Sequence, residues 1–198
     1  MNTRIYLFIF LLVYFFFVFF LRSYLLWKRT SINPLTFSRS DDAHGYNGKV
    51  FTFISLLEFV VVFIFAFKNE LYQYLLPFWY LEHSYLKYIG WGLLGLSLIL
   101  VWVAQSQMAN SWRIGIDEKN KTELVTNGLF SFSRNPIFLG VMIANVGLLL
   151  IIPNAFTLLI VSLSTVSINT QIRLEEAFLE KSHKTAYINY CKKVRRWL

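Results

Sequence analysis

The sequence reads as an all-α, polytopic membrane protein of about five transmembrane helices, with a helical hairpin and a cytosolic C-terminal helix. Three observations carry that reading. Apolar and aromatic residues fill 56% of the chain and charged residues 15%, whereas a globular domain is about a quarter charged. The 20 Phe among 198 residues exceed what one small water-facing core hides, so lipid is the solvent. Five stretches with at most one charge then divide the chain at lengths that suit helices. Disorder, a secreted disulfide scaffold and a soluble nucleic-acid binder are excluded by the same composition.

Residues 5–21 are uncharged, and their basic flank (Arg22, Lys28, Arg29) lies on the C-terminal side with no small-residue cleavage site after it. This is a retained helix rather than a secretory signal. Residues 50–67 carry one charge, Glu58, in mid-span, where a carboxylate costs ~2.5–3.5 kcal/mol on insertion scales. Two readings stay open for it: a polar contact for a substrate headgroup, or a side chain bonded to a neighbour such as Asn145. The aromatic run 71–81 is too short to cross and is expected at the outer interface, with Trp79 and Tyr80 at headgroup depth.

The third stretch, 88–104, contains a literal G-x-G-x-x-G at Gly90, Gly92 and Gly95. It lacks the preceding strand a dinucleotide site needs, so the glycines read as helix packing. The fourth, 137–152, opens on Arg134-Asn135-Pro136. Pro136 suits a first helical turn, and Ser133 or Asn135 can cap it. Gly140, Ala144 and Gly147 give that helix a small-residue seam. The fifth, 155–172, is more polar and follows Pro153-Asn154 almost without a loop, which makes a tight antiparallel hairpin. At ~1.5 Å per residue each stretch spans roughly 24–27 Å, enough to cross the hydrocarbon core.

Orientation follows from charge. Sixteen of the 19 Lys and Arg fall on one side of these five spans, and only Arg4, Lys68 and Lys87 on the other. The positive-inside rule puts the N-terminus outside and the C-terminus in the cytoplasm, with the cell membrane as the expected location. The net charge of +8 is thus a signal for orientation and for membrane lipids, not for nucleic acid. Cys191 is the lone cysteine and His44, His83 and His183 are isolated, so no metal site is expected.

The chemistry-bearing residues lie from Ser111 onward. The segments Ser111 to Asp117 and Leu124 to Phe130 precede Arg134-Asn135-Pro136. Backbone N–H groups and a guanidinium at a cytoplasmic helix end make a natural site for a carboxylate. If the fifth helix continues past Ile172, Ser164, Ser167, Gln171 and Glu175 share one face, and Ser162, Asn169, Arg173 and Glu176 another about 100° around. A wet cavity and a solvated helix end both fit these stripes. The basic aromatic tail, Tyr187 to Trp197, reads on its own as an interfacial anchor.

The ordered set Leu-Val-Thr-x-Gly-x-Phe, then Arg-Asn-Pro-x-Phe-x-Gly, a helical hairpin, Glu175-Glu176, and Tyr187-x-x-Tyr190 with a basic close resembles the isoprenylcysteine carboxyl methyltransferase family. It is also similar to the wider group of phospholipid methyltransferase-like membrane enzymes. The resemblance covers residues 111–198, and residues 1–110, with the first three spans, carry no recognisable motif. It implies a methyltransferase that moves a methyl group from S-adenosyl-L-methionine to a lipid-like or isoprenylated acceptor, most directly the carboxylate of an isoprenylcysteine.

Carried over by position, the resemblance assigns cofactor contact to Thr122, Glu123, Leu124, Val125, Phe130, Asn135, Pro136, Ile137, Phe138 and Glu175. It assigns catalytic roles to Arg134 and Glu176, and acceptor contact to Gln171 and Arg173. The sequence departs from the family where Phe138 replaces a Tyr, where Gln171 stands for a substrate-binding Arg, and where His183-Lys184 replaces Phe-Gly. These departures bear on the acceptor more than on the cofactor. A carboxylate acceptor needs no general base, so alignment and water exclusion are the expected contributions. The acceptor is expected to enter from lipid and the cofactor from the cytosol. Two alternatives remain at this stage. One is an NADPH-dependent enzyme like the sterol reductases, whose ending Tyr190-Cys191-x-x-Val194 resembles; the other is a non-catalytic small membrane protein.

Overall fold

The computed structural model describes residues 3–31, 42–112 and 123–198; Thr122 of the expected cofactor stretch lies outside them. The described residues form helix after helix: α1 (Thr3–Thr30), α2 (Ala43–Phe67), α3 (Ser84–Met108), α4 (Pro136–Ile151), α5 (Ala155–His183) and α6 (Thr185–Lys193). The protein is all-α and polytopic. Four of these helices, α1, α2, α3 and α5, are long and apolar enough to cross a membrane, and α4 is a shorter apolar helix of 16 residues. Many of their large apolar side chains face outward, among them Ile9, Phe16, Phe53, Val60, Leu96, Ile99 and Val166. That surface is soluble only in lipid.

Each helix starts and stops for a local reason. Asp42 caps α2 by accepting from the Gly45 N–H at 2.7 Å. At the hairpin, Asn154 and Thr157 satisfy each other's backbone N–H groups in a capping box that starts α5. Pro136 occupies the first turn of α4, as its fixed φ favours. Neither expected side-chain cap forms at Asn135, however. Its amide instead donates to the Arg196 carbonyl at 3.0 Å, and the Ser133 hydroxyl accepts only from the Asn135 N–H. A link to the C-terminal tail has taken the place of the cap.

α1 continues well past its apolar stretch, with a π-helical turn at Phe16–Leu21. The cause is a side chain from α3: Gln105 Nε2 donates to the Val18 carbonyl at 2.9 Å, drawing that oxygen out of the helical ladder. One turn further on, the Arg22 guanidinium donates to the carbonyls of Gln105 (2.6 Å) and Ala109 (3.0 Å). It supplies the donors that the C-terminal end of α3 otherwise lacks.

The helices alternate in direction. At one end the Arg4 guanidinium donates to Asn69 just beyond α2, and Phe78 and Leu76 exchange backbone bonds with Pro153 and Ala155 of the hairpin. At the other end lie Arg22, Asn47 of α2 with its partner Ser167, and the link from Asn135 to the tail. Residues 71–81 break into short turns at the first of these ends, where Trp79 and Tyr80 are exposed.

α3 and α4 pack through small residues. A Cβ on Gly90 would lie 2.7 Å from the Gly147 carbonyl oxygen, and Gly140 lies directly against Val101 and receives the Ser97 hydroxyl on its carbonyl at 2.7 Å. The seam at Gly140, Ala144 and Gly147 thus matches its sequence reading. In the G-x-G-x-x-G triplet only Gly90 is a packing glycine. Gly92 and Gly95 face open space, because their side of α3 turns away from α4.

Candidate functional site

A cavity of about 620 Å³ runs inside the bundle. Its walls are mostly apolar: Leu7, Phe10, Leu11 and Val18 from α1, Ile54 from α2, Leu94 from α3, and Ile137, Phe138, Val141 and Leu148 from α4. Trp112, which follows α3, closes one side with the Arg22 guanidinium 6.0 Å above its ring. Polar groups enter this chamber at two levels. Gln171, Glu175 and Gln105 belong to the end near the tail, and Glu58 and Asn145 lie deeper.

The tail-side level is tied together by short bonds. Gln171 Nε2 donates to Glu175 Oε1 at 2.9 Å, and Gln171 Oε1 accepts from Asn47 Nδ2 at 3.0 Å. Asn47 also donates to the Ser167 carbonyl and accepts the Ser167 hydroxyl at 2.7 Å. So α2 holds the glutamine that holds Glu175. α5 stays helical to His183, and Ser164, Gln171 and Glu175 of one face all line the chamber. Ser167 does not, because Asn47 engages it.

The neighbouring carboxylate does something else. Glu176 receives Arg134 Nη2 on Oε1 at 2.9 Å, and Arg196 on both oxygens at 3.1 and 2.6 Å. The fork on Arg196 is bidentate, which raises the pKa of that guanidinium above its ordinary value. Around this clamp the tail is laced to the segment before α4. The Arg134 N–H donates to the Arg195 carbonyl at 3.0 Å, and the Tyr190 hydroxyl donates to the Phe130 carbonyl at 2.6 Å. Tyr187, Tyr190 and Val194 are buried together, with Leu124 against them. Burial pushes the Tyr190 phenol up to about 12. The tail is therefore a strap closing the end of the bundle, where the sequence alone reads only a surface anchor. Upstream, Gly128 takes φ +60°, and the Gln107 carboxamide lies against it while accepting the Leu129 N–H at 2.8 Å. A side chain at that position would be both strained and displaced by Gln107.

The family pattern for phospholipid methyltransferase matches residues 86–186 of this chain. The chain belongs to the phospholipid methyltransferase family. No individual curated protein matches it. The matched region begins inside α3, earlier than residue 111 where the sequence motifs start, and takes in α4, α5 and the hairpin between them. The match makes this chain a membrane methyltransferase of a family that acts on lipid-like substrates. α1, α2 and the strap residues from Tyr187 onward lie outside the match.

The structure distributes the residues singled out from sequence over three places. Ile137, Phe138, Gln171 and Glu175 line the chamber. Arg134, Asn135 and Glu176 belong to the clamp that holds the strap, while Leu124 and the Phe130 carbonyl dock the strap's tyrosines. Pro136 is buried at the start of α4, Val125 is half-buried, and Glu123 is exposed with its N–H on the Ser111 hydroxyl at 3.1 Å. Arg173 is exposed and outside the chamber wall, because it sits about 160° around α5 from Glu175. Residues that sequence reasoning gave no site role are Asn47, Tyr14, Ser55 and Trp112. A signal existed for α2: Asn47, Ser55 and Glu58 fall within an arc of about 80° of the helix.

Proposed function

We propose that this methyltransferase transfers a methyl group from S-adenosylmethionine to the carboxylate of an isoprenylated cysteine, taken from the membrane into the chamber. One observation carries the reading. Glu175, Ile137 and Phe138, which the resemblance assigns to the cofactor, line the same cavity as the apolar side chains of α1 and α2. The fit to the cofactor is chemical. Glu175 has Oε2 left over from its bond to Gln171, suited to an ammonium or to ribose hydroxyls. α4 begins without a side-chain cap, so N–H groups of its first turn suit a carboxylate. The buried Arg134 Nε has no partner among the described residues. Phe138 offers a ring face to adenine or to the sulfonium.

When bound, S-adenosylmethionine supplies a methyl group on a positively charged sulfur, open to in-line attack. The residues of this chain then align and dry the reactants. Ile137, Phe138 and Trp112 exclude water at the tail-side level, where opposite charges approach and cancel. Gln171, fixed by Asn47, orients Glu175. No histidine lines the chamber among the described residues, and a carboxylate acceptor requires no base there. Phe20 and Thr52 line the chamber yet are exposed, and they mark a side opening between α1 and α2 for an acceptor arriving from lipid. The charge asymmetry supports a cytoplasmic tail-side level, and a reporter after Leu198 is expected inside and a tag before Met1 outside.

The test is incubation of the purified protein with methyl-labelled S-adenosylmethionine and a farnesylated cysteine derivative in lipid vesicles. Label released by mild base, as a methyl ester requires, supports the reading. Base-stable label on a phospholipid amine moves the acceptor to that class. Binding of NADPH in place of S-adenosylmethionine overturns the cofactor assignment.

A further inference from the structure

A second cavity, of about 240 Å³, lies at the end of the bundle away from the strap. Arg4 of α1, Phe65 of α2, Lys87 of α3 and Ile151 of α4 line it, with Tyr72 and Glu82 from the segment between α2 and α3. Of the 19 Lys and Arg, the spans leave only Arg4, Lys68 and Lys87 at this end, and two of those three share the cavity. Methyl transfer beside the strap uses neither. Both cations have donors to give. Asn69 takes one bond from the Arg4 guanidinium, which lies 5.1 Å from the centre of the Phe65 ring, and a guanidinium carries five N–H donors. Lys87 is half-buried and makes no ion pair or side-chain hydrogen bond among the described residues. Burial first, and then the Glu82 carboxylate, push the Tyr72 phenol up to about 12, with Arg4 acting the other way. Both charges therefore face that phenol.

The charges and the size define the ligand. Two cations and one carboxylate leave a net charge of +1 on the lining, which a group carrying one negative charge balances. A space of 240 Å³ is about 8 Å across if round, and a phosphate joining two cations through charge-assisted bonds of about 2.8 Å fills roughly that span. A phosphodiester carries a single negative charge, whereas a phosphate monoester carries about −1.5 to −2 near pH 7 and is repelled by Glu82. The surroundings decide the source. Trp79, Tyr80, Tyr85 and Tyr88 are all exposed at this end, and such residues at the ends of apolar spans sit at headgroup depth. Phe65 and Ile151, both buried, give the cavity an apolar wall suited to the glycerol and first chain carbons. We infer that Arg4 and Lys87 bind the phosphodiester of one anionic phospholipid at the membrane surface opposite the strap, and that Glu82 excludes headgroups of higher charge.

The experiment measures lipid binding to the detergent-solubilised protein by native mass spectrometry. Phosphatidylglycerol, phosphatidylcholine and phosphatidic acid are compared with identical acyl chains, so any occupancy of the large chamber by chains is common to all three. Phosphatidylglycerol is expected to bind about tenfold more tightly than either, the effect of an added pair of charge-assisted bonds. Lys87→Gln should bring it down to phosphatidylcholine. Lys68→Gln, which removes the same charge from the same end but outside the cavity, should leave it unchanged. Glu82→Gln should raise phosphatidic acid towards phosphatidylglycerol. Equal binding of phosphatidylglycerol and phosphatidylcholine overturns the site, as do equal losses from Lys68→Gln and Lys87→Gln, which diffuse surface attraction produces. Glycerophosphoglycerol, the headgroup without chains, binding as tightly as the lipid overturns the membrane as its source.

Discussion

The two halves of the chamber wall are built in opposite ways. On the α5 side, polar groups are fixed by one another: Glu175 by Gln171, Gln171 by Asn47, and Glu176 by Arg134 and Arg196. On the α1 side the wall is packed aromatic and aliphatic surface, with Phe15 tilted against Phe59 at 4.7 Å and Phe10 edge-to-face with Trp91 at 5.8 Å between ring centroids. The first construction fixes a few atoms in place, which is what a small charged cofactor and an in-line transfer demand. The second fixes only a volume and its polarity, which is what a flexible lipid body demands. A molecule that must hold one reactant rigidly and another loosely divides the task between different helices.

Breaking the fixed half should have the largest effect. Glu175→Gln is expected to weaken S-adenosylmethionine binding by more than about tenfold in calorimetry, since a charged hydrogen bond removed from a buried site costs about 2–5 kcal/mol. Thermal stability should hardly change. An unaltered affinity would remove Glu175 from the cofactor site.

Glu176→Gln should show the reverse pattern. It strands Arg134 and releases Arg196, at about 2–3 kcal/mol of stability, discounted from a fully buried pair because Arg196 is partly exposed. Protease cleavage between Tyr187 and Arg196 should rise, with only a fewfold loss of cofactor affinity. Arg196→Ala should resemble it, and Arg195→Ala should not, since Arg195 contributes its backbone carbonyl to the strap.

Asn47→Ala tests how far the fixed half depends on its anchor in α2. Loss of its bond to Gln171 should cost about 1 kcal/mol, or roughly fivefold in cofactor affinity. No change would mean that Gln171 orients Glu175 unaided. The smallest effect concerns pH. The Tyr190 phenol, pushed up by burial, favours the folded state while it is protonated. That contribution is complete below its ordinary value near 10 and should fade as pH rises through about 12. Limited proteolysis of the strap should follow the same window, and Tyr190→Phe should loosen the strap already at neutral pH.

Legibility in the sequence follows the same division. Pro136, the Pro153-Asn154 hairpin and the Gly140-Ala144-Gly147 seam were readable because each residue type has few structural uses. The polar face of α5 was readable up to Glu175 because the helix period alone groups those residues. The strap was not, because the bonds that hold it reach from Arg134 and Asn135 to carbonyls of Arg195 and Arg196, and a carbonyl has no residue signature. Nor was the uncapped start of α4, where tertiary contact diverts the Asn135 side chain. Asn47 escaped notice for a related reason: its partners, Ser167 and Gln171, lie 120 and 124 residues away. Arg173 and Glu176 show the limit of matching by position, since one residue of offset on a helix turns a side chain by about 100°.

The side opening at Phe20 and Thr52 changes what counts as concentration for this protein. A ligand that arrives through water meets a site at a rate set by its amount per volume. One that arrives between α1 and α2 from lipid is already confined to a sheet, so the relevant quantity is its mole fraction among neighbouring lipids. Adding inert lipid at constant total acceptor should therefore slow the reaction, as though the acceptor had been diluted, while the volume of buffer leaves it unchanged.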